Sequence, residues 1–254
     1  MDIIAKLNGV LLQQDFTKAQ MALYQSELDK YKKIAYGYAN IENCISVLSD
    51  MHTNSSYIYY GEFSKILGFN HTKAIEDKIN SIWENNILKL IHPEDLYEKY
   101  LQELRFFHFI KHQPKKKRSH FFLANTLRIK DISGNYLDSL HRLFYIPSFF
   151  DQNMWLALCL YSPITYDLPH KYIIVNTLTG QLSELGKRNN ATILSEREIQ
   201  VLRLIDKGLM SKNIAESLSI SINTVSRHRQ KILEKLHVKN SIEACHIAKK
   251  LGIF

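Results

Sequence analysis

The chain has 254 residues, with 33 Lys and Arg against 25 Asp and Glu, a net charge of +8 and only 9 glycines. That length holds one large or two medium domains with packed cores. It carries no Gly-rich phosphate loop, no G-x-S-x-G and no kinase signature, and no apolar run approaches the roughly 18 residues of a membrane span.

Residues 1 to about 39 contain few helix breakers. Met21, Tyr24, Leu28, Tyr31, Ala35 and Tyr38 recur at steps of three and four, an a/d-like seam. Two readings stay open: the seam packs on its own domain, or it zips two copies together. The opening stretch MDIIAKLNGVLLQQ lacks the apolar core and cleavage site of a signal peptide. A soluble, cytoplasmic protein without membrane contact is expected.

Cys44 to Ser49 and Ser56 to Tyr60 read as strands joined at Thr53-Asn54-Ser55. Glu62 to Leu67 reads as a short helix stopped by Gly68, and helical sequence is expected to continue through Trp83 and Leu90. A new helix should start at Pro93, behind His92 and with Glu94 and Asp95 in its first turn, and run to about His112. Lys115 to Arg118 read as a solvated loop. Three strands follow: Phe121 to Lys130, then Tyr136 to Ile146 after the turn at Asp131 to Asn135, then Met154 to Tyr161. The last is nearly all apolar, which suits a central strand. Lys171 to Thr177 reads as one more extended segment, and Thr179 to Ala191 as a polar linker.

The order of two strands, several helices and a three-strand meander is that of a PAS domain. Phe69 after Leu67-Gly68, Ile91-His92-Pro93-Glu94-Asp95, and Asp131 through Gly134 resemble local steps of that family. The resemblance covers roughly residues 41–163 and implies a sensor domain in which the Pro-Glu-Asp residues are structural. Phe121, Leu123, Tyr145 and Trp155 are candidate walls of a small-molecule pocket, with Asn125 as a lone polar group among them.

Cys44, Cys159 and Cys245 are far apart and have no ligand spacing, so no metal site is expected. His71, His108, His112, His120 and His141 sit in no haem motif and read as surface side chains, so no cofactor is expected.

The most informative stretch is Leu194 to Leu236. Ser195 and Glu198 form an S-x-x-E capping box. Ile199, Val201, Leu202 and Ile205 give the first helix an apolar face, and Gly208 sits where a left-handed cap ends it. Ser211 is expected to cap a second helix with Ile214, Ala215 and Leu218 inward. After a tight turn at Ser219-Ile220, Ser221 is expected to cap a third. On that third helix Ile222, Val225, Ile232 and Leu236 fall on one face. The opposite face carries Asn223, Arg227 and Gln230, flanked by Thr224, Ser226 and Lys231, with no acid from Asn223 to Lys231. A helix apolar on one side and basic and amide-rich on the other suits a DNA major groove. Residues 187–254 also carry 13 basic and 6 acidic side chains, nearly the whole charge excess, so double-stranded DNA is the expected partner at this end.

Leu194 to Phe254 resembles the LuxR/GerE-type DNA-binding domain. The matching words are Leu194-Ser195-x-Arg197-Glu198, Val201-Leu202, Gly208, Ile214-Ala215, Leu218, Ser221, Thr224-Val225, His228, Ile232-Leu233, Lys235-Leu236 and Val238. The resemblance implies base contacts from Ser226, Arg227 and Gln230, and backbone contacts from Asn223, Thr224, His228 and Lys231. Family members often carry Lys where this chain has Ser226, so the target sequence is not transferable. A fourth helix from Ser241 to about Lys250 is implied as a dimer contact.

The expected class is therefore α+β: a PAS-like antiparallel sheet with helices, followed by an all-α helix-turn-helix domain. The expected domains are a helical dimerisation segment at 1–39, a PAS-like sensor at 40–178, a linker at 179–191 and the DNA-binding domain at 192–254. The implied function is a homodimeric regulator whose sensor domain modulates DNA binding. The alternative is a PAS-like domain that only dimerises or binds proteins, without ligand, for which a narrow or filled cavity would speak. An enzyme is not expected, because no clustered carboxylates or activated nucleophile are visible.

Overall fold

The computed structural model describes residues 3–12, 21–69, 76–148, 153–164, 168–185, 194–236, 238, 240–250 and 253. His71 and residues 186–191 of the expected linker lie outside them. The class is α+β, as expected. Helices α1 (Ile3–Leu12) and α2 (Met21–Ile41) precede a hairpin of β1 (Ile45–Asp50) and β2 (Ser55–Tyr60). Then come α3 (Phe63–Ile66), β3 (Asp77–Ile79), α4 (Asn85–Leu88) and α5 (Pro93–His112). A 3-10 turn at Lys115–His120 leads into β4 (Phe121–Lys130), β5 (Tyr136–Pro147), β6 (Met154–Pro163), β7 (Tyr172–Asn176) and β8 (Leu182–Glu184).

The eight strands form one antiparallel sheet in the order β3-β2-β1-β6-β5-β4-β7-β8. The meander β4-β5-β6 closes on β1, so β6 is central and its residues Met154 to Ser162 are all buried. Strand alternation then sends successive side chains to opposite layers. Val47, Leu123, Leu143, Tyr145, Ala157, Cys159 and Tyr161 meet Leu101, Leu104, Phe107 and Ile110 of α5, with Leu7 and Val10 of α1 behind them. Leu48, Tyr57, Tyr59, Leu156, Leu158 and Leu160 face the other way, onto α2.

The α2 seam resolves here. Leu28 and Ala35 are buried, and Tyr24, Tyr31 and Tyr38 lie against Trp155 and its neighbours on the sheet. The indole Nε1 of Trp155 donates to Asp50 Oδ1 at 3.1 Å, and the Tyr24 hydroxyl also donates to Asp50. The heptad-like spacing therefore covers the chain's own sheet. A 3.5-residue period reports one apolar stripe and is silent about what covers it.

Two further expectations are corrected. Helix is not continuous from Gly68 to Leu90: Asp77–Ile79 pairs with β2, and among the described residues helix returns for one turn at α4. The stretch expected as linker contains β8, which pairs with β7, and a buried Leu185. Both edge strands have three residues, too few to show a period.

The Ile91-His92-Pro93-Glu94-Asp95 step joins α5 to the sheet. Ile91 bridges Ile129, His92 N–H donates to Arg128 O at 2.8 Å, and His92 Nδ1 caps the helix by accepting from Glu94 N–H. Asp95 is 1% exposed and binds Arg128 and Lys171. Burial opposes its ionisation, but hydrogen bonds from the Arg128 side chain and backbone and from Lys171 outweigh that and hold the carboxyl far below the usual range.

Among the described residues the C-terminal region has four helices: α6 (Glu196–Asp206), α7 (Ser211–Leu218), α8 (Ile222–Leu236) and α9 (Ser241–Lys250). The Ser195–Glu198 capping box is present in both directions. Gly208, at φ +83°, ends α6 in the left-handed region that only glycine enters freely. Ser219, at φ +53°, makes the tight turn out of α7. Among the described residues no helix is long and apolar enough to cross a membrane.

Candidate nucleic-acid interface and buried polar centre

Helix α8 begins where Ser221 Oγ accepts the Thr224 N–H at 3.1 Å. Val225, Ile232 and Leu236 are buried and fix its inner line. Ile222 departs from that line and is 50% exposed. Its three-residue step from Val225 turns it about 60° away. Ser211 also departs from expectation: it is the first residue of α7, whose cap position is Met210 and carries no side-chain hydrogen bond.

Asn223, Arg227 and Gln230 lie about 140–200° round the helix from Val225. All three are exposed, as are Ser226 and Lys231. Among the described residues Arg227, Gln230 and Lys231 make no hydrogen bond or ion pair within the protein, so their donors point to solvent. Thr224 is half-buried and shares a 2.8 Å hydrogen bond with the Ser221 hydroxyl. His228 is half-buried, and its Nδ1 is covered without a partner.

The other basic residues of this stretch hold the domain together. Arg229 donates to Ser211 Oγ and Ser241 Oγ, both at 3.0 Å, tying α8 to the starts of α7 and α9. Lys235 reaches Glu198 Oε2 at 2.7 Å, and Arg197 Nη2 closes the end of α7 on Leu218 O at 2.6 Å. Burial opposes the charge on Glu198, yet the Lys235 and Ser195 hydrogen bonds hold its carboxyl below the ordinary value. The sequence wheel offered one signal for Arg229: it stands next to Val225 and Ile232 in projection, on the buried side.

The N-terminal domain has a second unusual place, between α5 and the sheet. Lys99 and Glu103, one turn apart on α5, pair at 2.7 Å with side chains 2% and 5% exposed. His141 on β5 is fully buried, its Nδ1 is 2.9 Å from Asn125 Oδ1, and its Nε2 is 3.8 Å from Glu103 Oε1. The Tyr161 ring lies 4.8 Å from the His141 ring, and its hydroxyl donates to Glu84. Burial, then the Lys99 and Arg142 charges, keep His141 neutral, and burial pushes the Cys159 thiol well up.

Beside this cluster is a cavity of about 20 Å³, lined by Glu84, Lys99, Glu103, Tyr145 and Cys159 among others. That is room for one water-sized group. Of the five expected pocket residues, only Tyr145 lines it. Leu123 is packed in the core, and Phe121 is half-buried edge-on to Phe109 at 5.2 Å. Asn125 is not a lone polar group but holds His141. Trp155 faces α2, on the opposite layer. The register shifts at Ile146/Pro147, beside it, and such an irregularity breaks the alternation that would set Trp155 on the face of Ala157 and Cys159. His108 and His141, expected at the surface, are buried. A wider cleft of about 820 Å³ opens on the surface between Glu42, Glu62, Lys65 and Arg142.

The model of the luxR family of bacterial regulatory proteins (GerE) matches residues 192–248. The oxygen regulatory protein NreC of Staphylococcus epidermidis is 45% identical over 106 residues, which are 39% of this chain and 48% of that protein. The transcriptional regulatory protein DesR of Bacillus subtilis is 46% identical over 66 residues, 26% of this chain and 33% of that one. The chain thus spans less than half the length of these relatives. Among solved structures, the phage VqmA–DPO complex covers 89% of this chain and 93% of its own at 12% identity and a TM-score of 0.30. Escherichia coli SdiA covers 99% of each chain at 17% identity and a TM-score of 0.27. The sequence matches place a luxR-family regulatory domain at the C-terminal end, and superpositions this loose add nothing to that.

Proposed function

From a C-terminal domain of the luxR family, we propose that the chain is a cytoplasmic transcription regulator that binds double-stranded DNA through α8. The observation that carries the reading is the outer face of that helix: Asn223, Arg227, Gln230 and Lys231 stand exposed on a domain that holds most of the chain's net charge excess. In this reading Arg227 and Gln230 contact base edges, and Ser226 reaches a base through water. Asn223, Thr224, His228 and Lys231 hold the backbone. The test is operator binding, with operators recovered by genome-wide crosslinking. Arg227→Ala should cost roughly 1–3 kcal/mol and relax preference at one base pair. Lys231→Ala should weaken binding to all sequences and lower the salt slope by about 1. Unchanged operator affinity in both variants at physiological salt would remove α8 as the reading element.

The regulator acts as a homodimer, with α9 as the contact between copies. With the α2 seam occupied by the chain's own sheet, the support is Ile242, 83% exposed on α9. Sedimentation at micromolar concentration should show a dimer on operator DNA, and Ile242→Asp should leave a monomer bound to a half-site. A wild-type chain that stays monomeric on its operator would end this part of the reading.

The domain division follows: a PAS-like sensor ahead of the DNA-binding domain, joined by a short linker. The support is the order of two strands, helices and meander, together with the bracing seen at Asp95. The core cavity of about 20 Å³ takes no drug-sized organic ligand, which favours a ligand-free core, while the surface cleft of about 820 Å³ between Glu42, Glu62, Lys65 and Arg142 has the volume to hold one.

A further inference from the structure

We infer that the core of the N-terminal domain is a binding site for one divalent transition-metal ion of the zinc class, held by Glu103, His141 and Cys159. One donor atom from each lies within 4.8 Å of the other two, and all three residues are buried. They come from α5, β5 and β6, three elements that the packing of helix on sheet brings to one point. A thiol, an imidazole and a carboxylate suit zinc and its neighbours and are a poor set for magnesium or calcium.

The second observation is the state of the histidine. Asn125 Oδ1 sits 2.9 Å from His141 Nδ1, and an amide oxygen there accepts the Nδ1 proton. The remaining Nε2 then carries a lone pair. It is fully buried and among the described residues has no hydrogen-bond partner; Glu103 Oε1, at 3.8 Å, is beyond hydrogen-bond reach. A buried acceptor without a donor is costly, and ligating histidines are held by this kind of outer hydrogen bond.

Charge points the same way. The buried carboxylates of Glu84 and Glu103 face one buried ammonium, Lys99. When Cys159 binds the ion it gives up its proton to solvent, so the thiolate and the divalent ion together add one positive charge. That closes the cluster to neutrality. Metal–ligand bonds of about 2.0–2.3 Å bring donors to roughly 3.5 Å apart, so side-chain rotations of about an ångström complete the shell. The cavity of about 20 Å³ touches both Glu103 and Cys159 and leaves room for one water as a further ligand.

The site stands apart from the DNA-binding reading, because ion uptake is measured without DNA. The full-length chain, stripped with chelator and titrated with Co2+ and then Zn2+, should take up one ion per chain in this site. Its cobalt form should show thiolate-to-metal absorption that Zn2+ removes. Cys159→Ser should abolish that absorption, and Asn125→Ala, which touches no ion, should weaken uptake about 10–100-fold. Folding of each variant is followed by circular dichroism, and the wild-type titration decides the matter if a variant fails to fold. A wild-type chain with no thiolate-to-cobalt absorption at micromolar metal, or the same absorption in folded Cys159→Ser, would overturn the proposal.

Discussion

Asp95→Ala is expected to destabilise the N-terminal domain by about 3 kcal/mol at pH 7, among the larger losses a single substitution produces. The carboxylate is 1% exposed and accepts four hydrogen bonds. Oδ2 takes the Arg128 N–H at 2.9 Å and Nε at 2.8 Å, while Oδ1 takes Arg128 Nη2 and Lys171 Nζ, both at 3.0 Å. Alanine removes all four at once, leaves a backbone N–H of β4 without its acceptor, and takes away the buried ion pair between α5 and the sheet. The cost falls at the lower end of the range for a broken buried pair because the Arg128 and Lys171 side chains are 38% and 50% exposed and return to water. The pH dependence has a definite sign. The folded carboxyl titrates below its unfolded value of about 3.9. Its contribution is therefore complete above that value and is lost as pH falls below it. Urea unfolding at pH 7 should separate wild type and variant by the full amount, and the gap should shrink from about pH 4 downward. A gap that is small at pH 7, or constant down to pH 2, would show that this carboxylate does not brace the fold.

What could be read from the sequence divides along the length of the signal. The C-terminal domain was legible almost residue by residue, because caps, glycine stops and 3.6-residue faces are local. The Ser195–Glu198 box, Gly208 and the Val225–Ile232–Leu236 line all stand where the spacing put them. Local signals fail when a residue's role depends on something distant. Arg229 reads like Arg227 in a list of basic residues, yet it turns inward to two serines from other helices. The stripe on α2 was visible, but not that Trp155 and Asp50 of the sheet would cover it. The edge strands β3 and β8 were invisible because three residues show no period and their pairing is set by neighbours. The buried centre is the extreme case. Asn125, His141 and Cys159 sit on different strands and Lys99 and Glu103 on a helix, so no spacing in the sequence announces them.

Ile232→Ala is expected to unfold or nearly unfold the C-terminal domain, and so to abolish DNA binding without touching a DNA-facing atom. Ile232 is 1% exposed in the same cluster as Val201, Leu202, Ile214, Val225 and Ala248, side chains from every helix of that domain. Truncating a buried isoleucine removes three carbons and leaves a cavity that the helices close only in part, at a cost of about 2–5 kcal/mol. A domain of this size rarely holds more than about 3–5 kcal/mol in its core, so the substitution consumes most of its stability. The loss differs in kind from that of Arg227→Ala. The isoleucine variant should lose affinity for operator and non-operator DNA alike, with helical circular dichroism lost at a lower temperature. The arginine variant should keep the wild-type melting curve and lose discrimination. Ile232→Val, which deletes one methyl group, should cost only about 1 kcal/mol and leave binding measurable. Operator affinity within threefold of wild type for Ile232→Ala at 37 °C, with an unchanged melting curve, would contradict the packing of α8 against α6, on which the presentation of Arg227 and Gln230 depends.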